Sequence, residues 1–136
     1  MSRGYLLVRV EGRPYGLPLA RILEVSDLTE VLSAPRALPA LRGLTSLRGR
    51  LVPLVHLGAL LGERSAPDQR GRVAVLVRLE RTQVAFEVDD ADEVVREDPL
   101  PVPMGQRLPW ASGVAQRGAG GLVPILDLDA LEERIS

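Results

Sequence analysis

The side chains of this sequence that could do chemistry are few, and their spacing decides most of them. His56 is the only histidine. General acid–base or triad catalysis needs a histidine held by a carboxylate and aimed at a nucleophile, and no Ser or Thr here lies in a nucleophile-elbow setting. His56 ends an apolar run, so it reads as a structural position at a strand end. Asp89-Asp90-Ala91-Asp92-Glu93 is an acidic cluster. A calcium loop needs ligands at alternating positions, a glycine for its turn and a distal glutamate. That spacing is absent, so solvated turn residues are expected, with a contact to a basic partner patch as the alternative use. Gly118-Ala119-Gly120-Gly121 lacks the Lys-Ser/Thr that follows a phosphate cradle and opens no helix. It reads as a flexible hairpin loop. The chain has no cysteine, which excludes disulfides, thiolate metal sites and cysteine nucleophiles. No catalytic residue, metal or cofactor is therefore expected. Arg48-Gly49 stands apart, because the glycine supplies the positive φ of a tight turn and the arginine carries a forked donor.

The elements that must position these residues read as β structure, and they repeat. Leu7–Glu11 resembles Leu76–Glu80 at an offset of 69 residues. Glu24-Val25 pairs with Glu93-Val94 at the same offset, Gly43 with Gly113 at 70, and Leu51–Leu57 with Leu122–Leu128 at 71. Order is kept while the offset drifts slowly, which is the mark of an internal repeat. The halves run over about 1–65 and 70–136 of a single domain 1–136, and strands can be exchanged between the lobes. Tyr5–Val10 and Val73–Leu79 are apolar strand runs. Arg13–Leu19 and Gln83–Val88 are their returning hairpin arms. Arg21–Val25 is expected as a short helical turn or a bend. Leu44–Leu47 and Leu51–Leu57 flank the Arg48-Gly49-Arg50 turn. Val114-Ala115 and Leu122–Leu128 form the equivalent hairpin around a longer Gly-rich loop with no strict Leu-Arg-Gly. Pro53 and Pro124 sit at matching strand positions and mark an edge or a bulge. Gly62–Gly71 reads as the link between halves, and Asp98–Pro109, with four prolines, as an extended surface loop. Leu128, Leu131 and Ile135 have helical spacing. The fold class is all-β: two packed five-stranded barrels with a short C-terminal helix.

Bulk composition narrows the function classes. Hydrophobic residues make up 46 % of the 136, enough for a continuous core. Aromatics are 3 %, which leaves few platforms for stacking bases. The net charge is −1, and all 17 basic residues are arginines. That balance opposes a nucleic-acid or anionic-membrane binder. The start lacks the apolar core of a signal peptide, and no stretch is long enough to span a bilayer. A cytoplasmic protein is expected, with no direct membrane insertion.

The sequence Gly43-Leu44-Thr45-Ser46-Leu47-Arg48-Gly49-Arg50-Leu51-Val52-Pro53-Leu54-Val55-His56-Leu57 resembles the signature of the CheW family. So do Tyr15-Gly16 followed by Ile22-Leu23-Glu24-Val25, and Val88-Asp89 with Val94 after it. In the family pattern an Asp stands where this chain has His56. The resemblance implies two SH3-like five-stranded barrels. It also implies a non-catalytic scaffold of bacterial chemosensory arrays, without cofactors. Such adaptors bind the cytoplasmic hairpin tip of chemoreceptors (methyl-accepting chemotaxis proteins) and the regulatory domain of the CheA-type histidine kinase. The partner-binding residues it implies are Ile22, Leu23, Glu24, Arg48, Gly49, Val88 and Asp89. Glu24 and Arg48 are expected to pair near the binding surface. Ile22, Leu23 and Val88 are either core or the wall of a groove for an apolar helix face. The competing functions are a divergent paralogue that binds only receptor or only kinase, a small β-barrel nucleic-acid binder, and a hydrolase. A hydrolase would need a convergent nucleophile, base and metal set, which the sequence does not supply.

Overall fold

The computed structural model describes residues 3–33, 35, 38–105, 108–118 and 121–135. In chain order the elements are β1 (Tyr5–Val10), β2 (Arg13–Pro18), a 3-10 turn (Leu19–Arg21), β3 (Ile22–Asp27), β4 (Leu41–Leu47), β5 (Arg50–His56) and α1 (Leu57–Gly62). There follow β6 (Val73–Arg78), β7 (Gln83–Val88), β8 (Asp90–Val95), β9 (Ala111–Arg117), β10 (Gly121–Leu126) and α2 (Leu128–Ile135). Two expectations are corrected. Ile22–Val25 belongs to a strand, because it pairs antiparallel with β6, and only Leu19–Arg21 turns. Asp90–Glu93 is also strand, paired with β1, where a solvated turn was expected. The helix α1 was not anticipated. Ala119 and Gly120 of the Gly-rich loop lie outside the described residues.

Two five-stranded sheets result, ordered β8-β1-β2-β10-β9 and β3-β6-β7-β5-β4. Adding five to every strand number, cyclically, turns one order into the other. Each sheet therefore combines strands from both ends of the chain. The packing is SH3-like, although neither sheet closes: β8 and β9 are the edges of the first, β3 and β4 of the second.

The apolar runs explain this arrangement. A strand buried on both faces reads as a continuous apolar stretch. In β1, Leu6, Val8 and Val10 enter a central core, while Tyr5 and Leu7 face the other way into a core inside the first sheet with Val95, Val123 and Ile125. In β6, Val75 and Val77 face the central core, while Ala74 and Leu76 join Leu47, Val52, Leu54 and Ala85 inside the second sheet. The central core lies between the sheets and is completed by Leu57 and Leu60 of α1 and Leu128 and Leu131 of α2. Pro53 is at the point where β5 still has only β4 as neighbour, since pairing with β7 begins at Leu54. No ladder donor is needed there.

Gly43 answers a close approach. Leu32 forms an isolated bridge to Leu44, and a Cβ on Gly43 would overlap the Leu32 carbonyl. Gly113 is crowded in the same way by the Leu100 carbonyl, beside the bridge from Leu100 to Val114. Leu100 is flanked by Pro99 and Pro101, which lack the N–H to extend that bridge, so the open edge of β9 is blunted.

Both helices start on side-chain caps. Asp127 Oδ1 accepts from the N–H groups of Asp129 and Ala130, each at 3.1 Å. His56 Nδ1 accepts from the Ala59 N–H at 3.0 Å. His56 thus does the work of the Asp that the resemblance places there, provided that Nδ1 is unprotonated. Burial disfavours its cationic form and lowers its pKa, against the opposing pull of the Glu87 and Glu11 carboxylates. The unfolded chain takes up this proton near the ordinary imidazole value of about 6.5, and the folded protein only further down. In between, the unfolded state holds more protons, so stability is full above about pH 6.5 and falls as pH drops through that window. His56→Asn keeps an acceptor of high capping preference without the titration. Urea unfolding of both proteins at about pH 7.5 and about pH 5.5 should show a smaller acid loss in the variant; an equal loss would discount His56 as the cause.

Candidate functional site

The site is built where the two edges of the second sheet are drawn together. The β4–β5 turn is Leu47-Arg48-Gly49-Arg50, with φ of 54° at Arg48 and 71° at Gly49. Positive φ at both central residues is the type I′ geometry that matches the twist of a two-residue hairpin. Gly accepts this freely, and Arg does so at a cost. Arg48 spends its side chain across the gap to β3. Its Nε donates to Glu24 Oε1 at 2.7 Å and its Nη2 to the Leu23 carbonyl at 3.3 Å. The other carboxylate oxygen, Oε2, accepts from Ser26 Oγ at 2.5 Å. The Ser26 hydrogen bond, followed by the one from Arg48, holds the Glu24 carboxyl below the usual carboxylate range. Beside the pair lies a shallow cleft of about 150 Å³ floored by Leu23, Leu47, Val52 and Leu76. Small-molecule sites occupy roughly 300–1,000 Å³, so this cleft is below that range.

The residues expected to bind partners are not all here. Ile22, Leu23, Glu24, Arg48 and Gly49 come together around the clasp. Ile22 and Leu23 are half-buried, packed against the central core and the core of the second sheet. Val88 is elsewhere. It lies opposite Val73, level with Asp27 at the far end of β3, and is 1 % exposed. Its side chain fills the central core and is closed to a partner. Asp89 stands between β7 and β8, where its Oδ2 accepts from the Glu11 N–H at 2.7 Å and its own N–H donates to the Arg9 carbonyl. It ties the β1–β2 turn to the β7–β8 junction. Two exposed apolar side chains border the clasp and were not singled out, Val25 beside Glu24 and Leu51 opposite Ser46. Their signal was available in the signature segments, where both are apolar, Leu51 beside a hairpin turn and Val25 on the edge strand β3.

The first sheet carries a counterpart. Arg117 forms an ion pair with Glu93, Gly118 follows it with φ of 62°, and Val94 and Leu122 are exposed beside them. Arg117-Gly118 and Arg48-Gly49 differ by the same 69 residues as Glu93 and Glu24. The second hairpin thus has an Arg-Gly, as Gln116-Arg117-Gly118, but not a Leu-Arg-Gly, and its loop is longer, with Arg117 paired to Gly121 where Leu47 pairs with Arg50.

The acidic cluster is largely consumed within the chain. Arg9 forks onto Asp92 at 3.0 and 3.2 Å and reaches Asp90 at 3.2 Å. Glu80, Asp129 and Glu132 converge as the one group of possible metal ligands among the described residues. Two of these carboxylates are engaged within the chain, Glu132 by the N–H groups of Glu80 and Arg81 and Asp129 by Arg21. Among the described residues no helix is long and apolar enough to cross a membrane.

The chain was compared with known proteins. The CheW-like domain model matches residues 4–135. A chemotaxis protein CheW from Thermotoga maritima is 30 % identical over 118 residues, which is 85 % of this chain and 76 % of the relative. The crystal structure of the scaffolding protein TtCheW from Thermoanaerobacter tengcongensis superposes with a TM-score of 0.76 at 20 % identity, covering 96 % of this chain and 92 % of that one. With the family model spanning nearly all residues and the two-sheet fold shared, the chain belongs to the CheW-like domain family.

Proposed function

We propose that this protein is a non-catalytic adaptor of a bacterial chemosensory array that couples chemoreceptor hairpin tips to a CheA-type histidine kinase. The observation that carries this reading is the Arg48–Glu24 clasp. An arginine held at positive φ on an exposed hairpin, with its charge aimed along the sheet edge, is costly for a structural turn and useful for a preformed contact surface. Family membership and the relative named as a chemotaxis protein support the pathway. The working unit is the whole of residues 1–136, because each sheet needs strands from both halves. It acts in the cytoplasm at receptor arrays and needs no cofactor.

The test is titration calorimetry of the chain against a chemoreceptor hairpin-tip fragment and, separately, against the regulatory domain of the kinase. Saturable binding to both is expected. Binding to only one would make it a specialised paralogue, and binding to neither would end the coupling role.

A further inference from the structure

Glu24 and Arg48 have a mirror in Glu93 and Arg117, yet the two clasps are not equivalent. On β3 the residue two beyond the glutamate is Ser26, whose Oγ donates to Glu24 Oε2 at 2.5 Å while Arg48 Nε occupies Oε1 at 2.7 Å. Both oxygens are engaged, so the carboxylate has one orientation. On β8 the residue two beyond Glu93 is Val95, an apolar side chain buried inside the first sheet. It offers no donor, and Arg117 meets a single oxygen of Glu93. Ser26 is half-buried, on a strand whose next residues are exposed.

We infer that Ser26 is the positioning residue of the partner-binding edge, locking the Glu24 carboxylate so that Arg48 is presented in one geometry and the β3 edge is distinguished from its mirror at β8. This rests on the reading of that edge as the partner-binding face. The mechanism is preorganisation: a side chain already ordered loses less entropy when a partner arrives. Arg48 is the charged group that faces Glu24, from the β4–β5 turn. The neighbouring strand β6 sets Val75, Leu76 and Val77 against β3. Removing the hydroxyl therefore acts on the pair alone, and the Glu24 carboxyl should become easier to protonate.

Ser26→Ala and Ser26→Thr test this, each first checked for a wild-type urea midpoint. The first readout is the carbon-detected NMR titration of the Glu24 carboxyl in the free protein. The Ala variant should titrate at higher pH than wild type, and the Thr variant, which keeps a hydroxyl on a strand position, should return towards it. The second readout is affinity for the receptor tip and the kinase regulatory domain across the acid range. The Ala variant should bind on the order of tenfold more weakly, losing affinity at a higher pH on acidification, and Thr should restore both. An Ala variant that titrates and binds like wild type, or a Thr variant that restores neither property, overturns the inference. If the wild-type chain binds neither partner, the adaptor reading falls, and the Glu24 titration by itself decides whether Ser26 positions the carboxylate.

Discussion

Replacing Arg42 by Met is expected to lower the unfolding free energy by about 3–5 kcal/mol, a fall of about 10–20 °C in Tm for a domain of this size. Arg42 Nε donates to Glu87 Oε1 at 2.7 Å, and the two side chains are 8 % and 0 % exposed. Arg42 lies on the edge strand β4 and Glu87 on the central strand β7, the two neighbours of β5, so the pair spans β5. Its remaining valences are used on the connection between β5 and β6. Arg42 Nη2 donates to the Gln69 carbonyl at 2.8 Å, and Glu87 Oε2 accepts from the Gly71 N–H at 2.6 Å. Met preserves the packed stem but leaves a carboxylate buried without its counter-charge, which is far costlier than losing an exposed pair. Adding Glu87→Gln removes the orphaned charge and keeps an acceptor for the Gly71 N–H. The double variant should recover most of the loss in urea unfolding midpoint at an unchanged m-value. A double variant no more stable than Arg42→Met would mean that the cost arises from packing and not from the stranded charge.

Arg48→Asn should separate function from stability. Asn-Gly is the preferred pair for a type I′ turn, so the turn strain at Arg48 is relieved. The lost ion pair leaves nothing stranded, because Arg48 is 61 % exposed and Glu24 keeps Ser26 and access to water. The urea midpoint should therefore hold or rise. Binding to the receptor tip or the kinase regulatory domain should weaken by about tenfold to a hundredfold, the range for a central arginine of an interface. The exchange Glu24→Arg with Arg48→Glu tests the pairing itself. If the swapped protein binds no better than either single variant, the two residues act independently. Unchanged binding in Arg48→Asn would place the contact elsewhere on the molecule.

The two variants differ in how visible they were beforehand. Arg48 was legible because a tight turn between two apolar runs demands special backbone geometry, and an arginine there invites a question. Nothing local distinguishes Arg42 from the other arginines. Its importance comes from Glu87, 45 residues away, and from both lying beside β5. The same contrast runs through the candidate site. Glu24 was expected to meet Arg48, and the two do meet. Val88 shared a signature with Asp89 yet points into the core, because an apolar residue at the end of a strand buried on both faces has nowhere else to go. Arg117 escaped the Leu-Arg-Gly pattern because Gln116 precedes it, and it closes β9 opposite Gly121, whereas Arg48 stands in its turn at positive φ.

The sequence alone determined the properties that depend on near neighbours. Apolar runs long enough to be buried on both faces set β1 and β6, glycines at positive φ set the hairpin turns, and the spacing of Leu128, Leu131 and Ile135 set the last helix. The absence of cysteine excluded thiol chemistry. The tertiary structure decided what depends on strand order: that each sheet takes strands from both halves, that His56 caps a helix, that Arg9 neutralises the acidic strand, and that Ser26 marks one of two similar edges. The sheet pairings and the Arg9 contacts join strands tens of positions apart, while the His56 cap and the Ser26 contact are local but need the helix and the edge that the fold creates. Periodicity and turn preference specify which face a side chain takes, whereas the partner it meets on that face follows only from which strands lie side by side.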